Sequence, residues 1–437
     1  MAVTVRTEEY NAKSKKMIYF QHGSVNASLL AGDLREGLYS ALDRLGRRNS
    51  VLVVPPDFTR YHSRAGELTA MAYDYYRENL AEILPALGTH APMSAVEMDR
   101  MFPGIPHCIF RVHDWRNDVV TVGTVPGSFV AKITDNALDY DWPAQLNKLV
   151  YKGDHDLILS IGQVVPHEVI GMAGYNKNLF IGTGGAEGIN KSHFIGAVYG
   201  MERLMGRADN PVRRLLNYAS AHFIPDLPVV YVHTVVGRDE KGDLVTRGLF
   251  IGDDEQVFLR AAELSLKVNL TLLDYPLKKV VVYLDPDEFK STWLGNKSIY
   301  RTRMAIADKG ELIVLAPGVK EFGEDPEINQ LIRKYGYFST TETLRKLTEY
   351  EDLGNNLSAA AHLIHGSTEG RFSVTYCPGY LTPGEIRSVN FNYAPIKDML
   401  EKYDPGKMKE GTNVIGGEEV FFISNPALGL WACRDRI

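Results

Sequence analysis

Short apolar runs alternate with helix-periodic stretches along nearly the whole chain. Ser50–Pro56 (SVLVVPP), Asp156–Gly162 (DLILSIG) and Val229–Val236 read as buried parallel strands. Val119–Phe129 reads as strands and a turn, and Leu179–Ile181 as a further short strand. Helical spacing marks Leu34–Leu45, Ala65 to about Ala86 and Lys191 to Leu204. Asp254–Leu273 is a long helical pattern with acidic residues at its start, as the helix dipole favours, and is read as the link between two halves. Beyond it the alternation resumes. Strands are expected at Lys279–Leu284, Glu311–Ala316, Arg371–Cys377 and Glu419–Ser424. Helices are expected at Lys297–Ala307, Pro326–Gly336, Thr340–Glu351 and Ser358–Ile364. The pattern predicts α/β architecture in both halves. Residues 1–272 form one predicted domain and 273–437 the other, leaving open a return of the C-terminal tail to the first. A cleft between them is the expected active site.

Composition narrows this only a little. A chain of 437 residues exceeds one ordinary core, which supports two domains. A formal net charge of -6 offers no basic field for nucleic acid or an anionic membrane. Cys108, Cys377 and Cys433 are far apart and odd in number, which argues against a disulfide framework. The N-terminal stretch lacks the apolar segment of a signal peptide, and no run is long enough to span a membrane. A cytoplasmic protein is the expectation.

Candidate chemistry concentrates in Val165–Phe194, where His167, Lys177 and His193 are interleaved with six glycines. The loop Gly182–Gly188 falls one residue short of a P-loop, with Asn190 where a glycine belongs. It falls short of a dinucleotide fingerprint too, its third glycine being Gly188. A turn needing positive φ explains it better than a nucleotide loop does. Asp57-x-Thr59-Arg60 follows a strand, where ligand-binding residues of open α/β sheets gather, and an arginine there can grip a carboxylate with two parallel bonds. A surface Asp–Arg pair is an equal reading on spacing alone. His90 follows Gly88-Thr89 in a loop, and His167 follows Pro166 after a strand; histidines so placed suit proton transfer. His90, His167 and His193 together could make a zinc site, although no HExxH or CxxC spacing supports one.

Taken jointly, Asp57-x-Thr59-Arg60, Gly88-Thr89-His90, Pro166-His167, Lys177, His193 and Lys297 resemble the nickel-dependent lactate racemase superfamily of 2-hydroxyacid racemases and epimerases. The resemblance runs over essentially the whole chain; Lys177 and His193 are its strongest part and Lys297 its weakest. It implies that Lys177 covalently holds a pyridinium-derived nickel-pincer mononucleotide made by separate cofactor-synthesis enzymes. It implies that His193 binds nickel, that His90 and His167 are the acid/base pair, and that Arg60 and Lys297 hold the substrate carboxylate. Asp57 and Thr59 would position cofactor or substrate. The loop with Gly171 and Gly174 would cradle the cofactor, and Trp293 would stack on its ring.

The chemistry is coherent. The hydrogen on C2 of a 2-hydroxy acid is very weakly acidic beside an anionic carboxylate, so a hydride acceptor avoids a dianion, and a cofactor must supply it. Re-reduction on either face then calls for two proton carriers. The chain departs from the family with Tyr61-His62-Ser63-Arg64 after Arg60, and with Trp293-Leu294-Gly295-Asn296 ahead of Lys297. Added polar side chains there point to a hydroxylated sugar acid such as gluconate rather than lactate. An NAD- or ATP-dependent enzyme using Gly182–Gly188, and a non-enzymatic metal or metabolite sensor, are the competing readings.

Overall fold

The computed structural model describes residues 16–239 and 241–437, so the first fifteen residues of the N-terminal stretch, where the sequence shows no signal-peptide pattern, lie outside them. Its first six-stranded sheet runs in the order Ile18–Gly23, Leu244–Gly252, Val229–Arg238, Leu157–Gln163, Val51–Val54, Leu80–Ile83. The last four strands are mutually parallel. The first two pair antiparallel along one edge. Val51–Val54 is buried throughout, as a central parallel strand must be, and Pro55-Pro56 end it because proline brings no ladder donor. The second sheet runs Asn392–Tyr393, Ser373–Pro378, Ile306–Ala316, Leu277–Tyr283, Glu418–Ile423, Gly411–Ile415. It is parallel except for the final antiparallel pair. The α/β architecture read from the sequence is therefore present in both halves.

The linking helix spans Glu255–Asn269, its first turn capped by the Asp254 carboxylate accepting from the Gln256 N–H at 2.8 Å. Its apolar face, including Phe258 and Ala261, belongs to the first core. The helix ends four residues earlier than its pattern suggests. Leu270–Leu273 instead pairs in parallel with the C-terminal strand Leu430–Cys433, which the sequence reading did not include. Helix Ala186–Tyr199 is shared between the halves. Ile189 and Ile195 pack in the first core, and Phe194 and Ala197 in the second.

Four local expectations fail. The helix from Ala65 ends at Tyr76, and Leu80–Ile83, read as part of it, is a strand of the first sheet. Leu179–Ile181 is not a strand: Lys177–Phe180 is a helical turn, and a buried apolar triplet carries no period to tell the two apart. The strand from Val119 stops at Val125 and helix Gly127–Ile133 follows. The helix at Lys297 lasts only to Tyr300, and the next strand begins at Ile306. Among the described residues no helix is long and apolar enough to cross a membrane.

Candidate active site

Three neighbouring parallel strands deliver their following residues to one cavity of about 170 Å³. Val51–Val54 leads to Asp57, Thr59 and Arg60, Leu80–Ile83 to His90, and Leu157–Gln163 to His167, Gly174 and Lys177. Helix Ala186–Tyr199 adds His193, and the second half adds Trp293 and Lys297. The backbone holds these segments in register. The Thr234 hydroxyl donates to the Ser63 carbonyl at 2.6 Å, and the Gly88 N–H donates to the Gly182 carbonyl at 2.9 Å. Gly88 sits at φ +58°, the left-handed region that suits glycine.

Three histidines have fixed tautomers. His90 Nδ1 lies 2.5 Å from Asp57 Oδ2, while the Thr59 hydroxyl donates to Asp57 Oδ1, also at 2.5 Å. Burial would raise the Asp57 carboxyl, but His90, Thr59 and Arg60 outweigh it and bring it down to about 2. An ionised carboxylate only accepts, so His90 carries its proton on Nδ1 and leaves Nε2 free as a base. His193 donates from Nδ1 to the Ile189 carbonyl at 2.7 Å. Its Nε2 lone pair is likewise free, the arrangement usual for a metal-ligating histidine. Burial first, with Lys177 and His90 adding to it, pushes His193 down to about 4, so the ring is neutral. His167 is the reverse case. Its Nδ1 accepts the Val169 N–H at 3.1 Å, which places its own hydrogen on Nε2. Burial drives it well below the usual histidine range despite the neighbouring Glu168. His90 and His167 are thus inequivalent, one presenting a lone pair and the other an N–H.

The cavity is rich in cations. Lys177 is lowered to about 8 by burial and by Arg60, which leaves a substantial neutral, nucleophilic fraction. Lys297 is brought to about 8 by the same two causes and lies 5.7 Å over the Phe289 ring. The Arg60 guanidinium donates, among the described residues, only to the Thr59 carbonyl, at 3.4 Å. Among the described residues neither Arg60 nor Lys297 has a carboxylate partner, so both are available to an anion. Glu168, which the sequence reading passed over, lines the same wall. Burial opposes its charge, but His167, Arg301 and Lys297 outweigh it and keep it ionised. Arg301, buried, reaches Glu168 at 3.5 Å and donates to the Pro166 carbonyl, tying the His167 hairpin to the second half.

Other expectations are redrawn. Gly171 does not line the cavity. It pairs with His167 across the hairpin at φ +73°, and a side chain there would come within 2.1 Å of the Arg207 carbonyl. Its place is to shape the turn that carries His167. Tyr61, His62 and Arg64 also lie off the cavity: Tyr61 packs on Phe58 and Arg100, and Arg64 pairs with Glu67 at 2.6 Å. They give no support to a sugar-acid substrate. Trp293 does line the cavity, with one face stacked on His362 at 4.4 Å. The Gly182–Gly188 loop is unsuited to phosphate. The N–H groups that open the next helix are spent on the Trp115 carbonyl, from Ala186, and on Gln145 Oε1, from Gly188. The described residues contain no cluster of three or more side chains able to hold a metal, so the three-histidine zinc site is not formed. His193 as a single protein ligand, with other donors brought by a cofactor, fits the residues present.

Residues 38–203 match the family model of the lactate racemase N-terminal domain. Its fold is similar to the crystal structure of a Thermotoga maritima protein solved as a structural-genomics target. That protein is 27% identical, with a TM-score of 0.79, over 93% of this chain and 99% of the other. The lactate racemase apoprotein from Thermoanaerobacterium thermosaccharolyticum shares the fold at 17% identity and a TM-score of 0.64, over 93% of this chain and 89% of that one. No curated protein matches by sequence.

Proposed function

We propose that this protein is a racemase or epimerase that inverts C2 of a 2-hydroxy acid, leaning to a hydroxylated sugar acid such as gluconate. The observation that carries the reading is the joint placement of Lys177, His193, His90 and His167 around one cavity with two unpaired cations. Lys177 would hold the nickel-pincer mononucleotide covalently and His193 would ligate its nickel through Nε2. When bound, the group supplies a reversible hydride acceptor that no side chain can provide. Arg60 and Lys297 clamp the substrate carboxylate, which fixes C2 and keeps the keto acid from leaving. His90 Nε2, oriented by Asp57, takes the hydroxyl proton. His167 offers Nε2–H to the substrate oxygen from its own wall of the cavity. To act as base in the opposite direction it must first release the Val169 amide.

The test is co-expression with cofactor-synthesis enzymes, intact-mass analysis and turnover in D2O. The expected result is an adduct on Lys177 with nickel, and C2 epimerisation followed by NMR without deuterium entering C2. Wash-in of deuterium at C2 would mean direct proton abstraction and would end the hydride reading. Fast turnover of lactate alone among lactate, malate and gluconate would end the sugar-acid assignment.

A further inference from the structure

The second half gives the cavity more polar groups than carboxylate binding needs, and most are already occupied. His362 accepts or donates at both ring nitrogens, Nδ1 with the Tyr300 hydroxyl and Nε2 with the Tyr337 hydroxyl, each at 2.8 Å. An imidazole has no further hydrogen-bonding capacity. The Ser358 hydroxyl donates its hydrogen to Asn190 at 2.8 Å. His365 is different. It lines the cavity at 4% exposure, and its Nε2 is enclosed without a hydrogen-bond partner among the described residues. Arg303 holds its backbone carbonyl, at 3.2 Å, and leaves the ring alone. Ala361, one turn earlier on the same face of helix Leu357–His365, also lines the cavity.

Resting on the epimerase reading, we infer that His365 is the specificity-determining group, hydrogen-bonding a hydroxyl carried beyond C2 by a polyhydroxylated acid. An enclosed polar nitrogen without a partner is destabilising, and a turn of the ring that brings it to a ligand hydroxyl in the cavity removes that cost. Burial drives the ring down to about 3, so it is neutral, with one nitrogen donating and the other accepting. That matches a hydroxyl, which does both, better than a second carboxylate. Ionised Glu168 in the same cavity also disfavours a dicarboxylic acid. A site with such a group discriminates against an analogue lacking the hydroxyl, because the nitrogen then stays unpaired.

The experiment is calorimetric titration of the apoprotein with gluconate and with 2-hydroxyhexanoate, which has the same chain length but only the C2 hydroxyl. Wild type should prefer gluconate. His365→Leu should weaken gluconate about tenfold, the worth of one hydrogen bond, and change 2-hydroxyhexanoate less than twofold. His365→Asn, which can still donate and accept, should recover part of the loss. The melting temperature of His365→Leu should equal or exceed that of wild type, since an unpaired buried nitrogen has been removed. Equal losses for both acids, a lowered melting temperature with loss of both, or no preference in wild type would each overturn the inference. The predicted binding pattern with no epimerisation by the nickel-loaded protein would support His365 in this role and sink the racemase reading instead.

Discussion

Replacing Asp57 with asparagine removes the charge that orients His90 while keeping the side chain's size. The structure sets the scale. Holding this buried carboxyl at about 2 rather than 3.8 represents a preference for the ionised form of about 2 kcal/mol. The folded value is depressed, so this contribution is complete above the ordinary carboxylate value and is lost as pH falls through about 2. At neutral pH the whole of it is at stake. If it is expressed in the step where His90 accepts a proton, Asp57→Asn lowers kcat by about 30-fold, at 1.36 kcal/mol per decade. The loss will be larger if the new amide donates to Nδ1 and forces the hydrogen onto Nε2, because His90 then has no lone pair facing the cavity. The assay is NMR-monitored epimerisation by nickel-loaded protein, with Asp57→Asn, His90→Gln and the double variant in one cycle. The two single changes should be strongly non-additive, and binding of the acid by apoprotein should change less than threefold, since Arg60 and Lys297 are untouched. A kcat within threefold of wild type, or additive effects of the two changes, would refute the dyad.

Three further outcomes are expected. His193→Ala should retain the covalent adduct on Lys177 by intact mass but lose nickel by elemental analysis; nickel retained at wild-type stoichiometry would show another ligand. Arg60→Lys keeps the charge but loses the planar fork, so KM for the acid should rise about tenfold with a smaller change in kcat, and an unchanged KM would remove Arg60 from the carboxylate clamp. Because the Lys177 amine is lowered to about 8, trinitrobenzenesulfonate should label it in apoprotein half-maximally near that pH, as read by peptide mapping, whereas ordinary surface lysines need about 10.4. Labelling of Lys177 only at the higher pH would falsify its assignment as a perturbed nucleophile.

What the sequence revealed of the site is what lies next to strand ends. Asp57, Arg60 and His167 follow buried apolar runs within a few residues, and adjacent parallel strands bring such positions together without any knowledge of side-chain packing, whereas Lys177 lies further along the chain and gained its role only through the family resemblance. Glu168 and Arg301 were illegible because their pairing joins residues more than a hundred positions apart and depends on how the halves dock. His362 and His365 sit in a short apolar helix, where a histidine reads as ordinary until its neighbours are known. Tyr61 and His62 misled for a local reason. After Arg60 the chain continues as a tight 3-10 turn, Phe58–Ser63, so side chains adjacent in sequence to a cavity residue need not share its direction. Gly171 misled similarly, since a positive-φ glycine in a hairpin and one beneath a ligand look alike as letters.

Helix Ala186–Tyr199 contributes Phe194 to the second core while presenting His193 to the cavity, and Met201 and Met205 just beyond it join that second core as well. A fragment cut after residue 272 would therefore leave these apolar side chains bare to solvent, a sticky surface rather than an autonomous unit. The same stitching limits how far the two halves can swing apart when substrate enters, because any wide gape would pull the histidine's own helix out of one of its two beds.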